Sequence, residues 1–309
     1  SRARSLTHRG SGLSMTLVAP KVCEHTGTAY TAVAFSLIPR VLGLGDRGAS
    51  PTAGCYDRNF WHYGIIDLPN SRYQEVSLLL ALSYTLRREN NAFFDHATVR
   101  QYAIDAVRFW GSIQRRDGSF DEVYPNERSY VATAFSTFAV TTACQLLGLH
   151  TVDPALEKAG RWLARNENAD VSNQSAGAAA ALNAIGEHLE EGAFTMAATE
   201  KRDRLLSAQN DEGWFPEYGG WDIGYLTVSL AYLAYLARET GDDPLKAACH
   251  RAADFIEQRM RDDGTYDPVG SSRGTQYVYP SGLAILGRMD ILARHEVGVS
   301  RGRALNPAW

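Results

Sequence analysis

An all-α chain folded as an α/α toroid, a barrel of about five to six helix pairs, is the architecture this sequence predicts. Two observations carry that prediction. The first is a repeat of about fifty residues: segments beginning at Ile113, Ala164, Ser207 and Arg259 share one grammar. In each, a polar helix end runs into an acidic or Asn-rich turn, then a polar loop, then a helix of small and apolar residues. Three of the turns read Asp/Glu-Gly followed by an aromatic, at Gly118, Gly213 and Gly264, and the Ala164 segment fits most loosely. Self-similarity at a fixed period marks one supersecondary unit used several times. The second observation is that the helices come in two kinds. Residues 98–114 are amphipathic, with Val99, Tyr102, Ala103, Ala106, Val107, Trp110 and Ile113 on one face and Arg100, Asp105 and Arg108 on the other. Residues 161–166 and 246–260 read the same way, whereas 131–147, 177–185 and 226–237 have no charged face. A helix apolar all round is buried on all sides. Outer and inner helices alternating around a closed ring satisfy this; an open solenoid leaves the inner helices too exposed.

Taken in order, the chain opens with "SRARSLTHRGSG", basic and loop-like. It reads as a flexible arm, an expression remnant or the end of a removed segment. Residues 1–30 are therefore expected to be an irregular arm, 31–300 a single toroid domain and 301–309 a tail. The apolar run 32–44 is too short to span a bilayer and is broken by Pro39 and Arg40, so no membrane span is expected. Helix pairs are counted from Ser71, with Asn70 or Ser71 as the first N-cap, and the first fifty residues supply material for a sixth pair. The loops that feed the inner helices gather at one end of a toroid. Here they are the stretch beginning "GCYDRNFWHYG" at Gly54, then "EVYPNERSY", "ADVSNQS", "WFPEYGGWDIGY" and "VGSSRGTQYVYP". Helix N-termini carry unpaired N–H groups and partial positive charge, which suits that end to anions.

Composition narrows the function classes. The 309 residues carry a formal net charge of -4, which gives no overall attraction to nucleic acid or anionic membranes. At 45 % hydrophobic the chain has ample material for a core. Cys23, Cys55, Cys144 and Cys249 are scattered without a C-x2-C pair, so no zinc ribbon and no disulfide framework is expected. That fits a reducing compartment, the cytoplasm rather than the periplasm. No Cys/His cluster in the sequence suggests a metal, and Cys249-His250 reads as structural. "GLGDRG" from Gly43 follows no clear strand, so no phosphate loop and no cofactor are expected. Ser-His-Asp and Cys-His nucleophile signatures are absent. A homo-oligomer or a second subunit is left open.

Two resemblances add to this reading. Gln114-x3-Gly118-x-Phe120 and Gln209-x3-Gly213-Trp214 resemble the Gln-Trp repeats of the squalene cyclase and prenyltransferase toroids. That resemblance implies the fold more than the activity: no Asp-x-Asp-Asp acid is present, and Asp242-Asp243 and Asp262-Asp263 lack the spacing of a diphosphate-binding Asp-Asp-x-x-Asp. The protein prenyltransferases' zinc set is also missing. "RNFWHY", "GSSRGTQYVYP" and "GWFPEYGGWDIGY" are similar to segments of heparinase-like and alginate-lyase-like polysaccharide lyases, from about Leu42 to the C-terminus. This resemblance implies Asn, His, Tyr and Arg chemistry on the toroid. The order within "RNFWHY" departs from the alginate-lyase motif, and the β-sheet domain that accompanies the toroid in full heparinases is not expected within these residues.

Elimination from a uronic acid needs a neutralised carboxylate, a base for the C5 proton and an acid for the leaving oxygen. Asn59 and Arg58 are candidates to neutralise, His62 to act as base, and Tyr63 as acid or base. Trp61 is a candidate sugar platform. Tyr225, Tyr277 or Tyr279 from another loop is an alternative acid or base. Arg72, Arg128 and Arg273 are candidates for a local basic patch, with Arg273 and Tyr279 expected across the cavity from Asn59, His62, Tyr63 and Arg58. Glu217 and Asp222, beside Trp221, offer the carboxylate pair that a glycoside hydrolase needs. Each has a plainer reading: His62 packed into a loop, Asp57 capping a turn, Arg72 and Glu75 as a surface pair at i, i+3, and Asp222 capping the helix near Gly224. The sequence is thus expected to encode an enzyme acting on an acidic oligo- or polysaccharide by β-elimination or C5-proton abstraction. A terpenoid cyclase-like enzyme and a non-catalytic glycan- or protein-binding toroid are the alternatives.

Overall fold

The computed structural model describes residues 29–275 and 277–305. Among these the fold is all-helical, with twelve α-helices, one 3₁₀ turn and only isolated β-bridges. The expected arm lies almost wholly outside the described residues, as does Cys23. Helix α1 (Ala29–Leu42) and the single turn α2 (Arg58–Trp61) lead to a 3₁₀ turn, Ser71–Glu75, that runs into α3 (Val76–Thr85). Then follow α4 (Ala97–Ser112), α5 (Tyr130–Leu147), α6 (Asp153–Arg165), α7 (Ser172–His188), α8 (Gly192–Ala208), α9 (Ile223–Thr240), α10 (Asp243–Gln258), α11 (Pro280–Ile285) and α12 (Met289–Leu305). The last helix runs to Leu305, into the span expected to be a tail.

The odd-numbered helices from α3 to α11 pack in series, each against the next, and each even-numbered helix packs back on the helix before it. Burial separates the two sets. Fourteen of the seventeen residues of α7 are buried, so this helix has no solvent face. In α6 only Leu156, Ala159, Gly160 and Leu163 are buried, the i, i+3, i+4, i+7 stripe of an outer helix. The Ala-rich run of α7 lets its neighbours approach closely: a Cβ on Gly177 would collide with the Phe135 ring of α5. Among the described residues α5 alone is apolar and long enough to cross a bilayer, and 67 % of it is buried inside the protein. It is a core helix; its uncharged eighteen residues reflect burial against protein.

Helix α1 touches two of the core clusters. Tyr30, at the start of α1, packs on the cluster of the last helices and lies near Glu296 and Tyr266. Val41 and Leu42, at the other end of α1, pack on the cluster that α3, α4, α5 and α6 share.

One device recurs between repeats. Gly118 (φ +97°) and Gly213 (φ +103°) occupy a backbone region closed to other residues, and each abuts a backbone carbonyl of the next outer helix, Lys158 or Arg251. A glutamine four residues earlier clamps the turn. Gln114 Nε2 donates to Gly118 O (3.1 Å) and Ala155 O (2.8 Å). Gln209 Nε2 donates to Gly213 O (2.8 Å) and Ala248 O (2.9 Å). Two further turns reach the same end by other residues. Gln74 Nε2 donates to Gly54 O (2.9 Å) and Ala106 O (3.0 Å), and His295 Nδ1 lies 3.1 Å from Gly264 O. The aromatic two residues after each glycine, Tyr56, Phe120, Phe215 and Tyr266, is buried. In the loose Ala164 segment a lysine substitutes: buried Lys201 donates to Asn166 O (2.7 Å) and pairs with Glu167 (2.9 Å). Helix ends are set locally, by Ser129 and Asp222 as N-caps of α5 and α9 and by left-handed Gly148 and Gly241 behind them.

Candidate functional site

A cavity of about 370 Å³ opens where the inner helices begin. Its wall comes from the 3₁₀ turn before α3 (Arg72, Glu75) and the first turns of α5 (Val131, Phe135), α7 (Asn173, Gln174) and α9 (Tyr225, Val228). Glu122, Tyr218, Tyr277 and Tyr279 of the connecting loops complete it, with Tyr232 deeper along α9. Residues scattered over two hundred positions converge because every inner helix starts at this end.

Arg72 is the centre of its charge. Its guanidinium is bonded to Glu75, lies 3.8 Å from Glu122 Oε1 and stacks 4.8 Å above the Phe135 ring. Burial raises the Glu75 carboxyl above the ordinary range; Arg72 partly offsets the rise and Glu122 adds to it. Ser129 Oγ donates to Glu122 Oε2 at 3.0 Å. At the mouth, Arg273 lies 4.4 Å above the Tyr218 ring and 5.9 Å from that of Tyr225. Among the described residues no carboxylate pairs with it. Burial raises the phenols of Tyr218 and Tyr277 and, most of all, that of Tyr232.

The residues anticipated for the site divide into three groups. Arg72, Tyr225 and Tyr279 line the cavity and Arg273 borders it. Glu217, Asp222 and Trp221 lie behind the wall. Glu217 is fully buried and accepts from Asn173 N (2.8 Å), Asn173 Nδ2 (2.8 Å) and Ser229 Oγ (3.1 Å), tying its loop to the start of α7 and to α9. Burial outweighs these donors and pushes its carboxyl up to about 7. Asp222 caps α9 at Tyr225 N (3.0 Å) and anchors Ser271 (2.7 Å) and Thr275, which hold its carboxyl below the usual range. Trp221 packs 5.7 Å from Phe255 under Arg259. Arg128 pairs with Asp117 (3.1 Å) in a separate lateral cleft shared with Arg115 and Asp121.

Arg58, Asn59, Trp61, His62 and Tyr63 form the third group, outside the cavity lining. Their crowding follows from the irregular loop they brace. Arg58 donates to Gly43 O (3.0 Å) and Trp61 Nε1 to Leu44 O (2.8 Å). Buried Asp57 accepts from Asn59 N (3.1 Å) and Asn70 N (3.0 Å). A loop without ladder partners satisfies its backbone groups through side chains. His62 is exposed, edge-on to Trp61 (5.1 Å) and Tyr63 (4.8 Å).

Glu75, Glu122 and Asn173 were not singled out by motif. The signal that finds them is positional: the first turn of an inner helix, and the loop before it, face the common centre. Compared with known proteins, the chain matches no family model, no curated protein and no solved structure.

Proposed function

We propose that the chain is an α/α toroid whose central cavity binds an acidic saccharide and removes its C5 proton. Serial packing of the inner helices and the contact of α1 with both the cluster of α3 to α6 and the cluster that holds α9 to α12 support the closed ring. The observation that carries the functional reading is the cavity and its rim: two carboxylates around Arg72, a belt of tyrosines, and bordering Arg273, which among the described residues has no carboxylate partner. Tyrosine rings offer flat faces to sugar C–H groups. Arg273 supplies a planar fork for a uronate carboxylate, and neutralising that carboxylate acidifies the C5 proton.

In this reading Glu122, which accepts a hydrogen bond from Ser129 and faces the Arg72 guanidinium, accepts the C5 proton. The C4=C5 double bond forms as the C4–O bond breaks, and the electron pair leaves on oxygen. Glu75, whose carboxyl burial raises, or a tyrosine hydroxyl, protonates that oxygen. The same two carboxylates suit hydrolysis, which is the second reading. The charged wall fits poorly with the dry cavity that carbocation chemistry needs.

The test is a screen of purified protein against uronate-containing polysaccharides, followed by ultraviolet absorbance of unsaturated products and by reducing ends. Absorbance that disappears in Glu122→Gln and Arg273→Ala but persists in His62→Ala supports elimination at the cavity. Reducing ends without absorbance point to hydrolysis. Absorbance lost in His62→Ala alone moves the chemistry to the α2 loop and refutes the assignment.

A further inference from the structure

The opposite end of the helix layer holds a second cluster. His150 lies in the α5–α6 connection, Asp153 is the first residue of α6, and His188 is the last residue of α7. His150 Nδ1 is 2.9 Å from Asp153 Oδ2, and His188 Nε2 is 2.9 Å from Asp153 Oδ1. The three ligand atoms lie within 4.8 Å of one another. The side chain of His188 is 4 % exposed, so a buried imidazole nitrogen is aimed at a carboxylate that a second imidazole also reaches. His150 is 69 % exposed and leaves one side of the cluster open to solvent.

We propose that His150, Asp153 and His188 form a site for a borderline divalent transition metal, of which zinc is the representative. Two imidazole nitrogens and a carboxylate are the donor set such ions take, at about 2.0–2.2 Å. Magnesium and calcium, which demand oxygen ligands, are poorly served. The rings lie nearly parallel, 13° apart with centroids at 5.0 Å. Binding therefore requires the His150 ring to turn so that both lone pairs meet one ion. Its exposed position allows that turn, while His188, its side chain buried, and half-buried Asp153 supply the fixed half of the site. Bound metal ties the α5–α6 connection to the end of α7, far along the chain but adjacent in the fold, so the site acts on stability and is independent of the cavity.

The experiment titrates chelator-treated protein with zinc chloride, reading heat and thermal melting. The expected result is one equivalent bound, with a melting temperature raised by about 5 °C at hundredfold excess over Kd. Affinity falls tenfold or more in His150→Ala, a surface change that leaves the fold intact, and in Asp153→Asn. His96→Ala, at an exposed histidine elsewhere, leaves binding unchanged. No heat and no melting shift up to millimolar zinc overturns the proposal, as does binding that survives undiminished in His150→Ala and Asp153→Asn.

Discussion

Gln209→Ala tests the clamp that joins one repeat to the next. The Gln209 amide donates to Gly213 O at 2.8 Å and to Ala248 O at 2.9 Å. Alanine removes both donors at once. Gly213 is buried, and leaving its carbonyl without a partner costs about 1–3 kcal/mol. Ala248 lies within α10, so its carbonyl keeps a helical partner and loses only a second bond, about 0.5–1.5 kcal/mol. The guanidinium of Arg251, bonded to the other end of the amide, is exposed and turns to water. The expected loss is therefore about 1.5–4.5 kcal/mol. Urea unfolding followed by circular dichroism reads it as a lower midpoint at unchanged slope. Gln114→Ala makes the same change in another repeat, and the two losses add to within about 0.5 kcal/mol. Gln101→Ala is the control: the side chain of this exposed glutamine bonds Asp105 on its own helix, so its loss stays within about 0.5 kcal/mol. If Gln209→Ala and Gln114→Ala both behave like that control, the clamp is not a determinant of the fold.

Three other outcomes follow from the same geometry. Gly118→Ala places a Cβ against the Lys158 carbonyl at a φ of +97°, so the variant loses more than about 3 kcal/mol or fails to express in folded form, read by urea midpoint and soluble yield. The Glu217 carboxyl stands at about 7 in the fold, above the ordinary 4.5. Its contribution is full below about pH 4.5 and is lost as the pH rises through 7, a fall of about 3 kcal/mol. Glu217→Gln flattens that slope in urea midpoints taken at about pH 5 and about pH 8; an unaltered slope refutes the assignment. Asp222→Ala removes the cap of α9 and frees Ser271 and Thr275, costing about 2–4 kcal/mol and speeding proteolysis in the 268–275 loop.

Much of the fold is legible in the residues because burial writes itself into helix composition. The uncharged stretch 131–147 becomes α5 and the striped stretch 98–114 becomes α4, each within two residues at its ends. The loose Ala164 segment was harder because the requirement there, a donor to the Asn166 carbonyl, is met by Lys201 from a helix thirty-five residues on. Glycine turns could be read locally; their partners could not. The site was less legible. Arg72 and Glu75 do pair, as the i, i+3 spacing suggests, but on the cavity wall rather than an outer surface. Only the direction of the first inner turn distinguishes these settings. In contrast, the dense polar run 57–63 drew attention by composition, and much of its density serves the backbone of the 43–57 loop. His150 and His188, thirty-eight positions apart, have no motif to join them; the packing of α6 on α7 does.

The most direct measurement of the central claim is calorimetric titration of the protein with a uronate hexasaccharide, comparing wild type, Arg273→Ala and His62→Ala. The account predicts binding to wild type and His62→Ala alike. It predicts affinity about thirtyfold weaker in Arg273→Ala, the loss of one charge-assisted contact worth about 2 kcal/mol. Binding that ignores Arg273 and depends on His62, or no binding to any acidic oligosaccharide, contradicts it.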